Sequence, residues 1–152
     1  MRISAKTDYA LRAAIELASL ASADPVKGET IAKAQGIPLR FLENILGDLR
    51  NANVVESRRG VEGGYLLARD PADITLADVI RAVDGPLANV AGTKPNALTY
   101  HGSAEQLREI WVAVRAALRS VLEETTLADM AGKKLPDHVR ALIADQDAWE
   151  VR

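Results

Sequence analysis

Apolar residues recur at helical spacing three times in the first third of the chain. Ala10, Leu11, Ala14, Ile15 and Ala18 fall on one face of a helix predicted over 4–20, with Ser4 placed to cap it. Ala21–Lys27 reads as a turn through Asp24-Pro25. Ile31, Ala32 and Ala34 then predict a short helix over 29–35, and Gly36 stands where a left-handed residue would end it. A third helix is expected to start at Pro38, because proline suits the first helical position. Leu42, Ile45, Leu46 and Leu49 follow the i, i+3, i+4, i+7 rule and mark its buried face. Arg40, Asn44, Gly47 and Asn51 lie opposite, with Glu43 beside them.

The period then shortens. Val54–Arg59 and Tyr65–Ala68 read as two strands joined by Gly60-Val61-Glu62-Gly63-Gly64, a glycine-rich hairpin connection. Thr75-Leu76-Ala77-Asp78 opens another helix with a capping-box pattern in which Asp replaces Glu, and Val79, Ile80 and Val83 carry it. Asp84–Ser103 is rich in Gly, Pro and Asn, and an irregular segment of that length is usually functional or mobile. The longest helix is predicted over 104–124, about 30 Å at ~1.5 Å per residue. Leu107, Ile110, Trp111, Val114, Leu118, Val121 and Leu122 form its apolar stripe, which needs a partner surface. Thr126-Leu127-Ala128-Asp129 repeats the capping tetrapeptide, and Pro136–Ala144 reads as a last short helix.

Composition narrows the chemistry. The 152 residues are 48% hydrophobic and 26% charged, a soluble globular balance for a chain long enough to bury a core. Cysteine is absent, which excludes disulfides, thiol catalysis and thiolate-bound zinc or iron–sulfur clusters. His101 and His138 are the only imidazoles, and His101 reads as a surface residue rather than a ligand. No nucleophile–base pair, carboxylate dyad or metal constellation occurs at helical spacing, so no catalytic and no metal-binding residues are assigned and no enzyme is expected. No phosphate-binding glycine motif is present, and Gly60, Gly63 and Gly64 serve the turn. Without a long apolar run or a leader pattern, the expected location is cytoplasmic. At 4%, aromatics are too scarce for a single-strand stacking platform.

Helix, short helix, glycine turn, helix and glycine-tipped hairpin are the parts of a winged helix-turn-helix, in order. The class is mainly α with a small β-hairpin, followed by a long C-terminal helix. The third helix fits a DNA major groove, and Arg58 and Arg59 beside Gly60 suit a minor groove, whose negative potential attracts arginine. Local charge is weak, with four arginines against three acids across 40–60; a dimer would double the positive contacts. Phe41, a lone aromatic near a helix start, reads equally as a packed residue or as a contact to a thymine methyl or sugar. Trp111 reads as interface core and Lys133-Lys134 as a solvated pair.

The opening Met1-Arg2-Ile3-Ser4-Ala5-Lys6-Thr7-Asp8-Tyr9-Ala10-Leu11-Arg12 resembles that of the Rrf2 family of bacterial transcription regulators. So do Ile37-Pro38-Leu39-Arg40-Phe41-Leu42-Glu43 with Leu49-Arg50, and the run from Thr75 to Pro86. Arg58-Arg59-Gly60-Val61-Glu62-Gly63-Gly64-Tyr65-Leu66-Leu67-Ala68 is the most specific match, and Trp111 and Thr126–Asp129 extend the resemblance to about residue 130. It implies a homodimeric repressor of palindromic double-stranded DNA, paired through the stripe from Leu107 to Leu122. It places DNA contacts at Pro38, Arg40, Phe41, Glu43, Asn44, Arg58, Arg59 and Gly60. There Arg40 would meet guanine or phosphate, Asn44 adenine, Glu43 cytosine, and Arg59 the minor groove.

The implied division is a DNA-binding domain over 1–83, a flexible and candidate sensing loop over 84–103, a dimerisation helix and turn over 104–130, and a tail over 131–152. Many relatives carry three cysteines around the start of the long helix, holding an iron–sulfur cluster. None is present here, so no such cofactor is expected, and the residues identify no small-molecule effector. Cysteine-poor members of the family respond to a partner protein or to other signals, so the resemblance implies a partner protein, another signal, or no small signal at all. The competing function is a protein-interaction module regulating a partner enzyme, with weak or lost DNA binding.

Overall fold

The computed structural model describes residues 2–20 and 22–151. Helix α1 (Ala5–Leu20) is the hub of the molecule. Its inward face is Ala10, Ala13, Ala14, Leu17 and Ala18, all buried. Small side chains there let several helices approach one axis closely. Helices α2 (Gly28–Gln35), α3 (Leu39–Asn51) and α4 (Leu76–Asp84) pack around it. Ser4 caps α1 as expected, its Oγ accepting from the Thr7 N–H at 3.0 Å.

The turn from α2 into α3 follows the glycine signal. Gly36 adopts φ 62°, ψ 38°, and the Ile37 N–H closes the end of α2 onto the Ala32 carbonyl at 2.9 Å. Pro38 stands one position outside α3 rather than inside it: its ψ of 125° is extended, and its carbonyl accepts from the N–H groups of Phe41 and Leu42 in the first turn. Leu42, Ile45, Leu46 and Leu49 are all buried. Ala34, expected inside, is exposed because α2 contributes only Ile31 and Ala32 to the core.

Strands β1 (Val55–Arg58) and β2 (Gly64–Leu67) pair antiparallel, from Val55 opposite Leu67 to Arg58 opposite Gly64. Arg59 therefore leaves the strand and belongs to the turn. The hairpin is anchored to the α1–α2 connection by reciprocal bonds between Val26 and Tyr65 at 2.8 and 2.9 Å. A Cβ on Gly64 would lie 2.5 Å from the Val26 carbonyl oxygen, and one on Gly63 would lie 2.4 Å from that of Arg58. Both glycines are thus required by close backbone approach.

Residues 85–106 carry more local structure than their composition predicts. Val90 bridges Thr93, Pro95–Ala97 and Gly102–Ala104 form 3-10 turns, and Leu87 and Pro95 are buried. Helix α5 (Leu107–Leu122) consequently starts later than predicted, because Gly102 at φ 61° and the second 3-10 turn consume its expected first turn. Its 16 residues span about 24 Å.

Helix α6 (Leu127–Ala131) then returns to the hub, and Leu127 is fully buried against it. Both capping boxes form with the shorter aspartate: Thr75 with Asp78 and Thr126 with Asp129, each bonded in both directions. The two caps are joined, since the Leu76 N–H donates to Thr125 and the Leu127 N–H to Ile74, both at 2.9 Å. Helix α7 (Asp137–Ala144) and a 3-10 turn at Gln146–Trp149 end the described chain. No described helix is long and apolar enough to cross a membrane.

Candidate nucleic-acid interface

The three buried leucines and one isoleucine of α3 fix which side of the helix turns outward. Arg40, Phe41, Glu43 and Asn44 are all exposed on its N-terminal half, and Pro38 is exposed just before it. Phe41 is 62% accessible, which removes the packed alternative for this aromatic within the single chain. It lines, with Asn44, Lys6, Tyr9 and Asp48, a cleft of about 620 Å³ between α1 and α3. Lys6 lies 2.7 Å from Asp48 and donates to the Val83 carbonyl at 3.0 Å. One ammonium thus ties the start of α1 and the end of α4 to the C-terminal half of α3.

That pairing changes the local charge. Asp48 is answered by Lys6, and Glu56 lies 3.4 Å from Arg58. Arg40 and Arg59 have no carboxylate partner among the described residues. The structure also separates the two hairpin arginines. Arg58 sits on β1 and lines a cleft behind the hairpin with Leu17, Ala18 and Leu67. Arg59 projects from the exposed turn beside Gly60, where φ is 106°. Gly60, Gly63 and Gly64 share a shallow cleft with Leu39 and Glu43, so the wing and the start of α3 form one continuous surface. The sequence reading missed Lys6 and Tyr9. Their spacing of three residues puts them on one face of α1, which is visible in the sequence; the helix they meet is not.

The residues of the α5 stripe are less enclosed than their apolar character would require. No residue of α5 is buried; Leu107, Trp111, Val114, Leu118, Val121 and Leu122 are half-buried, and Ile110 is 56% accessible. The Trp111 indole N–H is shielded from solvent with no acceptor among the described residues. On the other side of the helix, Glu123 accepts from Arg81 of α4 and, at 2.9 Å, from Arg119 of α5. These two guanidiniums, Arg81 foremost, hold its carboxyl below the ordinary carboxylate value. The Arg108 guanidinium does the same for Glu109, at 2.8 Å.

A helix pair joined by a glycine turn, an exposed polar second helix and an arginine-tipped wing define a winged helix-turn-helix DNA-binding protein. The profile of the family described as "Rrf2: Iron-dependent Transcriptional regulator" matches residues 3–133. The HTH-type transcriptional regulator Rv1287 of Mycobacterium tuberculosis is 52% identical over 150 residues, covering 99% of this chain and 93% of that protein. CymR of Bacillus subtilis, the global cysteine regulator of that organism, has a solved structure that superposes with a TM-score of 0.74 at 36% identity, over 88% of this chain and 98% of CymR. T. potens IscR superposes with a TM-score of 0.70 at 32% identity, over 99% and 97%. The chain belongs to the Rrf2 family of transcription regulators.

The iron in the family description does not fit the residues of this chain. Cysteine is absent, and among the described residues no group of three His, Cys, Asp or Glu is placed to hold a metal ion. His101 is exposed and stands outside any such group.

Proposed function

We propose that the protein is a homodimeric, sequence-specific repressor acting in the cytoplasm without an iron–sulfur cluster. It lays α3 in the major groove of a palindromic operator and Arg59 in the adjacent minor groove. The observation that carries this reading is the continuity of the α3 face with the wing, where Arg40 and Arg59 have no carboxylate partner among the described residues. In the groove, Arg40 meets guanine or phosphate, Asn44 adenine and Glu43 the cytosine amino group, with Phe41 against a thymine methyl or sugar. Pro38 and Gly60 bring the backbone close, and Arg58 supports the wing from behind.

The homodimer is supported by α5. A 16-residue helix with an apolar stripe and no buried residue leaves that surface wet in a single chain. A second copy packed along Leu107, Ile110, Trp111, Val114, Leu118, Val121 and Leu122 dries it. Twofold pairing also accounts for the modest charge of one chain, since the operator meets two copies of the face.

The test is selection of genomic fragments by the wild type and by Arg59→Ala at two salt concentrations. The expected result is a palindrome whose binding weakens with the substitution, with a log K against log salt slope steeper than about −1. A folded dimer that selects no sequence would sink the reading and leave the protein-interaction module in its place.

A further inference from the structure

A second charged surface lies away from α3 and the wing. Where α4, the irregular segment and α5 meet, a cleft of about 340 Å³ is lined by Arg81, Lys94, Arg115 and Arg119. Asn96 lies among them, and Pro86 with the buried Leu87 supplies an apolar patch. No carboxylate lines it among the described residues. The whole chain carries a net charge of −2, so four cations in one concavity are not a reflection of composition.

The cations are unequally engaged. Arg81 and Arg119 share Glu123, and Arg81 also lies 4.0 Å from Asp78. Arg115 donates to the Asn96 side-chain oxygen at 2.9 Å and has no carboxylate partner among the described residues. Lys94, on a different element, likewise has none. Gathering like charges costs Coulomb energy that a bound anion would reverse. Glu123 and Asn96 hold three guanidiniums in place beforehand, which lowers the ordering cost of binding. Guanidinium pairs suit the planar, multi-oxygen geometry of carboxylate and phosphate, and the volume lies at the small end of metabolite sites.

We propose that this cleft is a binding site for a small organic anion carrying at least two negative groups, carboxylate or phosphate. The site is placed to communicate with α3. Arg81 and Asp84 belong to the same helix, and Asp84 accepts from Ser4, at 2.8 Å, and from Thr7 at the start of α1. The neighbouring Val83 carbonyl is held by Lys6, which also reaches Asp48 of α3. The binding claim itself does not depend on any reading of the DNA contacts.

Calorimetric titration of the full chain with citrate and with pyrophosphate, at constant ionic strength and with acetate as a single-charge control, tests the proposal. The expected result is saturable binding of one citrate or one pyrophosphate per chain, at least about tenfold tighter than acetate. Preference for one probe assigns the carboxylate or the phosphate class. Lys94→Ala, which removes a side chain without a hydrogen bond or ion pair among the described residues, should weaken binding by about tenfold, and Arg115→Gln, which retains a donor for Asn96, should do the same. Lys134→Ala removes an equal charge from a residue that does not line the cleft and should leave binding unchanged. The proposal is overturned if neither probe exceeds acetate, or if all three variants weaken binding equally, which would be diffuse attraction to a cation-bearing surface.

Discussion

The Lys6 ammonium stands 2.7 Å from the Asp48 carboxylate, linking the first helix to the outward-facing one. Both side chains are well exposed, at 44% and 39%, so the pair itself is worth at most about 1 kcal/mol. Its larger role is positional, because the same ammonium satisfies the Val83 carbonyl at the end of α4. Lys6→Met keeps the aliphatic stem and removes the charge. Urea unfolding should show a loss of no more than about 1 kcal/mol, while operator affinity falls about fivefold. Asp48→Asn should lower affinity in the same direction. A rise would mean that the freed ammonium binds phosphate directly and that the pair does not position α3.

Two residues five positions apart on opposite sides of α3 should separate folding from DNA binding. Leu46 is fully buried, and Leu46→Ala should cost about 2–5 kcal/mol in chemical denaturation. Phe41 is exposed, and Phe41→Ala should change stability by less than about 0.5 kcal/mol while weakening operator binding measurably. Equal destabilisation by both substitutions would show that Phe41 packs against something in solution, a second copy included.

The wing's attachment makes a backbone prediction. A Cβ at position 64 would lie 2.5 Å from the Val26 carbonyl oxygen, and neither atom belongs to a flexible side chain. Gly64→Ala must therefore part β2 from the Val26 connection or strain it, at about 1–3 kcal/mol. Hydrogen exchange should show faster exchange at the Val26 and Tyr65 amides, which bond across this contact at 2.9 and 2.8 Å. Unchanged protection there would refute the clash.

How far the sequence anticipates these features depends on whether the signal is periodic. The buried face of α3 is legible because Leu42, Ile45, Leu46 and Leu49 repeat at the helical period, and the two capping boxes because Thr and Asp stand at fixed spacing. The late start of α5 is not legible, since Ala104 and Glu105 are good helix formers; it is the left-handed Gly102 and the preceding 3-10 turn that displace it. The internal order of 85–106 escapes for a related reason. Leu87 and Pro95 are single apolar contacts without a period, visible only once α5 is beside them. In the candidate interface, the exposed row on α3 follows directly from its buried row. The separate placement of Arg58 on β1 and Arg59 in the turn does not, because it depends on the residue at which β1 ends. The cationic cleft joins residues between Arg81 and Asn96 to Arg115 and Arg119 of α5, and no local pattern announces it.

The link between α4 and α5 should respond to acid. Arg81 and Arg119 both stabilise the ionised Glu123, so its folded carboxyl titrates below the ordinary value. A group lowered in this way contributes stability above its unfolded pKa, and that contribution is lost as pH falls through the folded one. Glu123→Gln should therefore lower the urea midpoint at neutral pH. At about pH 3 the difference between variant and wild type should have narrowed. A difference that stays constant between the two conditions would assign the effect to packing of the side chain and not to its charge.

The apolar stripe of α5 gives the sharpest test of association. Ile110 is 56% accessible and contributes nothing to the core of the single chain. Replacing it with aspartate therefore leaves the fold of one chain nearly unaffected. In a dimer paired along α5, the same carboxylate would be driven into an apolar contact with its symmetry mate, where burial and like-charge repulsion both oppose it. Sedimentation should find the wild type dimeric and Ile110→Asp monomeric at equal concentration, with unchanged far-ultraviolet circular dichroism. Operator affinity should drop by far more than any single contact on α3 accounts for, because a monomer binds each half-site separately and loses the effective concentration that pairing supplies. A monomeric wild type would refute the homodimer, and a variant that stays dimeric with full affinity would place the twofold contact on another surface of the molecule.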